Sequence, residues 1–168
     1  LLLLAAIGSL GACTPGNIAT PAPELPVDAL FKEFYASVGG RVALGPVTCA
    51  LFDYQKDGQM LKCQYTSNAL MCNNPFAADD ASRFFLYPLG RALNLQDIPD
   101  APNGAAEGQR VVDGFILYPA FVQRYDAMKG AQTTGQALTR ARYNYLQRRI
   151  EQYFENVGFY LPLDDKEA

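Results

Sequence analysis

The chain opens on an unbroken apolar run, Leu1 through Ile7, that passes by way of small residues into Leu10-Gly11-Ala12-Cys13. Over residues 14–27, Pro15, Pro21, Pro23 and Pro26 punctuate small residues around a single charge, Glu24. Proline fixes φ and lacks an amide donor, so this stretch is expected to be extended and semi-rigid. Helical spacing starts behind Asp28, a predicted N-cap: Leu30, Phe31, Phe34, Tyr35 and Val38 share one face, and Gly39-Gly40 stops the helix. After a tight turn expected at Leu44-Gly45-Pro46, residues 50–54 and 60–66 flank Lys56-Asp57-Gly58, a strong hairpin signal. Residues 69–72 give a third short strand, and 84–93 a strand with a closing turn. A second helical stripe, Phe121, Val122, Tyr125 and Met128, opens at Pro119 and ends at Gly130.

The two stripes belong to a repeat. Phe31, Tyr35, Gly40 and Gly45 recur as Phe121, Tyr125, Gly130 and Gly135, each displaced by 90 positions. Gln64-Tyr65 and Asn68 recur as Gln152-Tyr153 and Asn156, displaced by 88. Such matches in one order read as a duplicated module. One stretch is in conflict: Tyr143, Leu146, Ile150, Tyr153 and Val157 fall at helical spacing, whereas the repeat lays them over a β-hairpin. The repeat is given precedence, because tertiary context overrides propensity. The expected fold is therefore α+β, two tandem modules, each a helix followed by a small antiparallel β-meander. Module one covers 28–95, a Pro- and Gly-rich linker 96–110, and module two 111–168. Few residues follow Asn156, so the second module is expected to be truncated and to expose a sheet edge.

Composition excludes some classes. The net charge of −3 and the lack of a clustered basic surface argue against nucleic acid. Arg140, Arg142, Arg148 and Arg149 are followed by Glu151 and Glu155, as on a solvated face. With no His in the chain, Ser-His and Cys-His dyads are impossible, and no phosphate loop or nucleophile elbow occurs. Three cysteines without C-x-x-C spacing do not suggest a metal site, and no cofactor is expected. If Ser67-Asn68 is a two-residue turn, Cys63 and Cys72 lie directly opposite each other on paired strands, close enough for a disulfide. Cys49 is then free, or pairs with a cysteine outside this sequence.

The segment Leu10-Gly11-Ala12-Cys13 resembles the lipobox of bacterial lipoproteins. The apolar run before it is far shorter than the ~20 residues that span a bilayer. The resemblance implies cleavage before Cys13 and its diacylation, with residues 1–13 as signal and 14–27 as tether. The missing initiator Met and basic region lead one to expect a fragment of the precursor. The pattern from Phe31 to Thr48, with Leu44-Gly45-Pro46 and then Gln64-Tyr65, resembles Leu-Gly-Phe-Pro repeats of bacterial cell-envelope proteins, common in exported proteins of Chloroflexi-type bacteria. In the second copy the tag is eroded to Thr134-Gly135-Gln136. The resemblance covers residues 31–160 and carries over no catalytic residues.

Ten Tyr and ten Phe supply the better functional clue, since flat rings with a hydroxyl suit sugar stacking and protein interfaces. Most are expected to pack the modules. Tyr143 and Tyr145 straddle Asn144, should share one strand face, and are the predicted ligand contacts. The expected function is that of a non-catalytic, extracytoplasmic lipoprotein. Its membrane partner is the bilayer, through the lipid on Cys13, and its ligand a cell-wall polymer or envelope protein. The alternative is a carboxylate-dependent hydrolase or an accessory domain of an exported enzyme. Asp79-Asp80, Asp164-Asp165, or a convergence of Asp53 with Glu155, are its only candidate acids.

Overall fold

The computed structural model describes residues 25–80, 82–101, 103–104 and 106–163. Asp28 starts the first helical segment: its Oδ1 accepts the Leu30 N–H at 2.9 Å. A 3-10 turn, Ala29–Phe31, then runs into α1, Lys32–Ser37. Gly39 follows in the left-handed region, φ 98°. The chain does not continue as a loop there, as expected, but resumes as α2, Gly40–Leu44. Positive φ at two successive glycines turns the backbone sharply enough to restart a helix at an angle, so the pair is a corner and not a terminus.

The first sheet is antiparallel: β1, Phe52–Lys56; β2, Gln59–Tyr65; β3, Leu70–Asn73; and β4, Phe84–Leu86, in that spatial order. Lys56 pairs with Gln59, leaving Asp57-Gly58 as a two-residue loop with φ of 50° and 80°, the twist that suits a hairpin. Cys63 faces Cys72 across β2 and β3, and the two are disulfide-bonded with Cα atoms 4.2 Å apart. A helical turn, α3, Leu89–Ala92, closes this half.

The second half begins with a hairpin of β5, Val111–Val112, and β6, Phe115–Ile116, around Asp113-Gly114. A 3-10 turn at Pro119–Phe121 leads into α4, Val122–Ala127, and α5, Ala131–Thr134, follows the corner at Lys129 and Gly130. The second sheet contains β7, Arg142–Asn144; β8, Arg149–Tyr153; and β9, Gly158–Pro162. The stretch with helical spacing is thus a hairpin. Asn144 Oδ1 accepts the Gln147 N–H at 3.0 Å, and Arg148 takes a positive φ of 49°. That turn reverses the chain before a helix can form.

Two buried glutamines hold corresponding places in the halves. Gln64 Oε1 accepts the Asp28 N–H at 3.0 Å, and its Nε2 donates to the carbonyls of Pro26 (3.2 Å) and Cys49 (3.3 Å). Gln152 Oε1 accepts the Tyr118 N–H at 3.1 Å, and its Nε2 donates to Ile116 (3.0 Å) and Thr139 (3.2 Å). Asn68 and Asn156 likewise donate to the carbonyls of Ala43 and Thr133. Each amide satisfies backbone groups that sheet and helix leave unpaired, which is why polar side chains are tolerated so deep.

The halves share one core. Phe31, Leu44, Met71 and Leu86 pack in a single buried cluster with Phe115, Phe121, Phe154 and Phe159. At their junction Ala69 and Val157 form an antiparallel bridge, and the Gly158 N–H donates to the Asn68 carbonyl at 2.8 Å. A smaller apolar cluster, with the disulfide and Leu61, Leu70 and Tyr87, covers the opposite face of the first sheet.

Candidate binding surface

Tyr143 is the middle residue of β7, but Tyr145 does not share its strand. β7 stops at Asn144, and Tyr145 begins the four-residue loop to Arg149. The side chain of Asn144, caught by the Gln147 N–H, bends the chain one residue earlier than the expected strand end. The rings nevertheless meet edge to face, 4.6 Å between centroids and 84° apart. Tyr145 and Leu146 are each 83 % exposed, an apolar shelf at the hairpin tip. Beneath it lies a concavity of about 390 Å³, lined by Leu95, Arg142, Glu151 and Tyr153 as well as the two tyrosines.

The floor of that concavity is polar and tightly paired. Glu151 is buried on β8, where its Oε1 accepts from Arg149 Nε at 2.5 Å and from Asn144 Nδ2 at 3.1 Å. Burial raises the Tyr153 hydroxyl above the usual phenol range, and the neighbouring Glu151 carboxylate pushes the same way. Arg142 on β7 grips Asp97 with one nitrogen, 2.9 and 2.8 Å from its two oxygens. This lashes the chain around Leu95 across the sheet.

A second cavity, about 220 Å³, lies where the halves meet. Tyr65, Tyr153 and Tyr160 line it with Leu89, Leu93 and Leu95, over Ala69 and Val157. Arg149 lies over the Tyr160 ring, 4.6 Å from its centroid. Asn68 also lines the cleft, and its buried Oδ1 has no hydrogen-bond partner. The cleft joins flat rings to aliphatic walls and a few polar groups, the composition of a recognition site. The sequence reading missed it. Tyr65 and Tyr153 each follow the repeated glutamine, and that shared place was the available signal.

The remaining candidates are dispersed. Cys13 and Asp164-Asp165 lie outside the described residues. Cys49 is buried, and its Sγ accepts the Tyr65 N–H at 3.4 Å. Asp79 Oδ1 accepts the Ser82 N–H, and Asp80 pairs with Arg83 at 3.1 Å. Asp53 on β1 pairs with Lys62 at 2.5 Å. Glu155 lies in the turn after β8, not on a strand, and pairs with Arg91. The structure thus engages Asp53 and Glu155 with different cations rather than bringing them to one site. Among the described residues, no group of three or more His, Cys, Asp or Glu side chains is placed to hold a metal ion. No helix among them is long and apolar enough to cross a membrane. Comparison with protein-family models, curated proteins and solved structures finds no match for this chain.

Proposed function

We propose that this is a lipid-anchored, extracytoplasmic binding protein without catalytic activity, built from two tandem modules and engaging a cell-envelope polymer or envelope protein. The observation that carries the reading is the tip of the second sheet, where Tyr143 and Tyr145 hold perpendicular rings beside an exposed Leu146. A monomeric surface gains nothing from exposing such a group, whereas a sugar ring or an apolar partner side chain finds both a face and an edge to pack on. The paired glutamine anchors support the two-module description, and the lipobox-like Leu10-Gly11-Ala12-Cys13 supports the anchor.

The test is retention of the purified protein on isolated peptidoglycan and on envelope polysaccharide. Wild type should be retained on one of them, and Tyr143→Ala with Tyr145→Ala should cut retention about tenfold, a loss of ~1.4 kcal/mol. Equal retention of wild type and double variant would remove the tyrosine tip from the account.

A further inference from the structure

The two sheets present the same face with opposite chemistry. The repeat matches Leu61, Cys63 and Tyr65 on β2 with Arg149, Glu151 and Tyr153 on β8. The strand registers then match Phe52 and Tyr54 on β1 with Arg142 and Asn144 on β7. In the first sheet all five residues belong to one apolar cluster around the disulfide, where the rings of Phe52 and Tyr65 stack 5.6 Å apart. In the second only the tyrosine is kept. The other four positions carry two arginines, a glutamate and an asparagine. The fold does not ask for this change, since the first copy closes the same face with apolar side chains. The Glu151 side chain is only 6 % exposed, and apolar replacement of so buried an ion pair is commonly neutral or stabilising. A charged network that the fold can do without points to a ligand.

Arg142, Asn144 and Glu151 line the concavity of about 390 Å³ beneath the tyrosine tip. Leu95 and Tyr153 line both this concavity and the junction cleft, and so divide the two. The charges of the lining cancel: Arg142 is paired with Asp97, and Glu151 with Arg149. Asn144 Nδ2 gives one of its two hydrogens to Glu151, and Arg142 spends a single terminal nitrogen on Asp97. The second amide hydrogen and the rest of the guanidinium fork remain to donate, beside a carboxylate that accepts. Tyr145, 83 % exposed, offers its ring at the rim.

We propose that this concavity binds one ring of an uncharged, gluco-configured glycan, and that the second module does the binding while the first is structural. The inference rests on the tyrosine-tip reading and adds the polar floor to it. A pyranose with equatorial hydroxyls is apolar on both faces and polar around its rim. One face packs on the Tyr145 ring, and the rim meets planar groups that donate and accept side by side, as Arg142, Asn144 and Glu151 do. A lining without net charge suits a ligand without charge. An apolar side chain of a partner protein would cover the floor without satisfying it.

The probes are cellohexaose, maltohexaose and chitohexaose, each titrated into the intact protein and followed by amide NMR shifts. Saturable binding of at least one is expected, with shifts at Asn144, Tyr145 and Glu151 and none at the matching Tyr54 and Cys63. Arg149→Leu with Glu151→Val gives the second face the apolar character of the first. That variant should keep or raise Tm and lose hexasaccharide affinity by about tenfold. Should it lose stability, Arg142→Leu decides instead: the side chain is 49 % exposed, and binding should weaken about tenfold with the circular-dichroism spectrum unchanged. Affinity that survives these changes would overturn the assignment, as would the absence of saturable binding to any of the three, or tighter binding of an oligogalacturonate. Retention on isolated envelope polysaccharide separates this inference from the reading it rests on. Equal retention of wild type and the Arg149→Leu, Glu151→Val variant, with loss only in the tyrosine double variant, strikes the floor and leaves the tip. Hexasaccharide binding without retention on any envelope material strikes the envelope reading and leaves the site.

Discussion

Gln64 and Gln152 are the polar side chains on which the most backbone depends. Each is 1 % exposed and serves three main-chain groups drawn from separate segments. Replacing either by leucine keeps the volume close but strands two carbonyls and an N–H, each costing about 1–3 kcal/mol when buried. Water entering the site or local relaxation recovers part of that cost. Gln64→Leu and Gln152→Leu should therefore each lower stability by about 3 kcal/mol in urea titrations. A loss under about 0.5 kcal/mol, the scale of an ordinary surface change, would mean that the amides are not the anchors described here.

Between elements, the contact with a pH signature is that of α3 with the turn after β8. Glu155 accepts the Gln136 N–H at 2.8 Å and pairs with Arg91 on α3. The Gln136 N–H, and then the bond and charge of Arg91, hold its carboxyl below the usual range, against burial that pushes it up. A carboxyl with a depressed folded pKa binds its proton more weakly than the unfolded chain does. Its contribution is complete above the unfolded pKa and is lost as pH falls through the folded one. Glu155→Gln should lower Tm at neutral pH, and the gap to wild type should close in acid. A gap that is constant from neutral to strongly acidic pH would show that the carboxylate charge contributes nothing.

The elements were unequally legible in sequence. The first hairpin was plain because Asp57-Gly58 sits between alternating strands long enough to read. Asp113-Gly114 carries the same signal, but its strands are two residues each, too short for any alternation to show. The restart of the helix at Gly40 was hidden because a glycine pair reads locally as a stop, and the packing that makes it a corner is tertiary. The repeat correctly outweighed helical spacing over residues 140–155. The cleft was invisible because Tyr65, Tyr153 and Tyr160 come from two sheets and converge only when the halves bridge.

Over the whole molecule, that bridge makes the fold a single cooperative body. Phe31 and Leu44 are fully buried in a cluster completed by Phe121, Phe154 and Phe159 from the other half. A fragment of residues 25–95 would expose this surface and lose the partner of the Ala69 bridge. It should remain without fixed tertiary structure, with collapsed amide dispersion in NMR spectra, while the full chain unfolds in one transition. A dispersed spectrum from the isolated fragment would establish two separately folding units instead.

The anchoring of the entering segment has a mechanical corollary. The Leu25 N–H bonds the Val47 carbonyl, and just behind it Gln64 grips Pro26 and Asp28 from the penultimate position of β2. Tension on the N-terminal side is delivered through that amide to β2, an inner strand of the first sheet with a neighbour on each side, and not to an edge strand that can peel away alone. A domain moored by this end would keep its shape under drag.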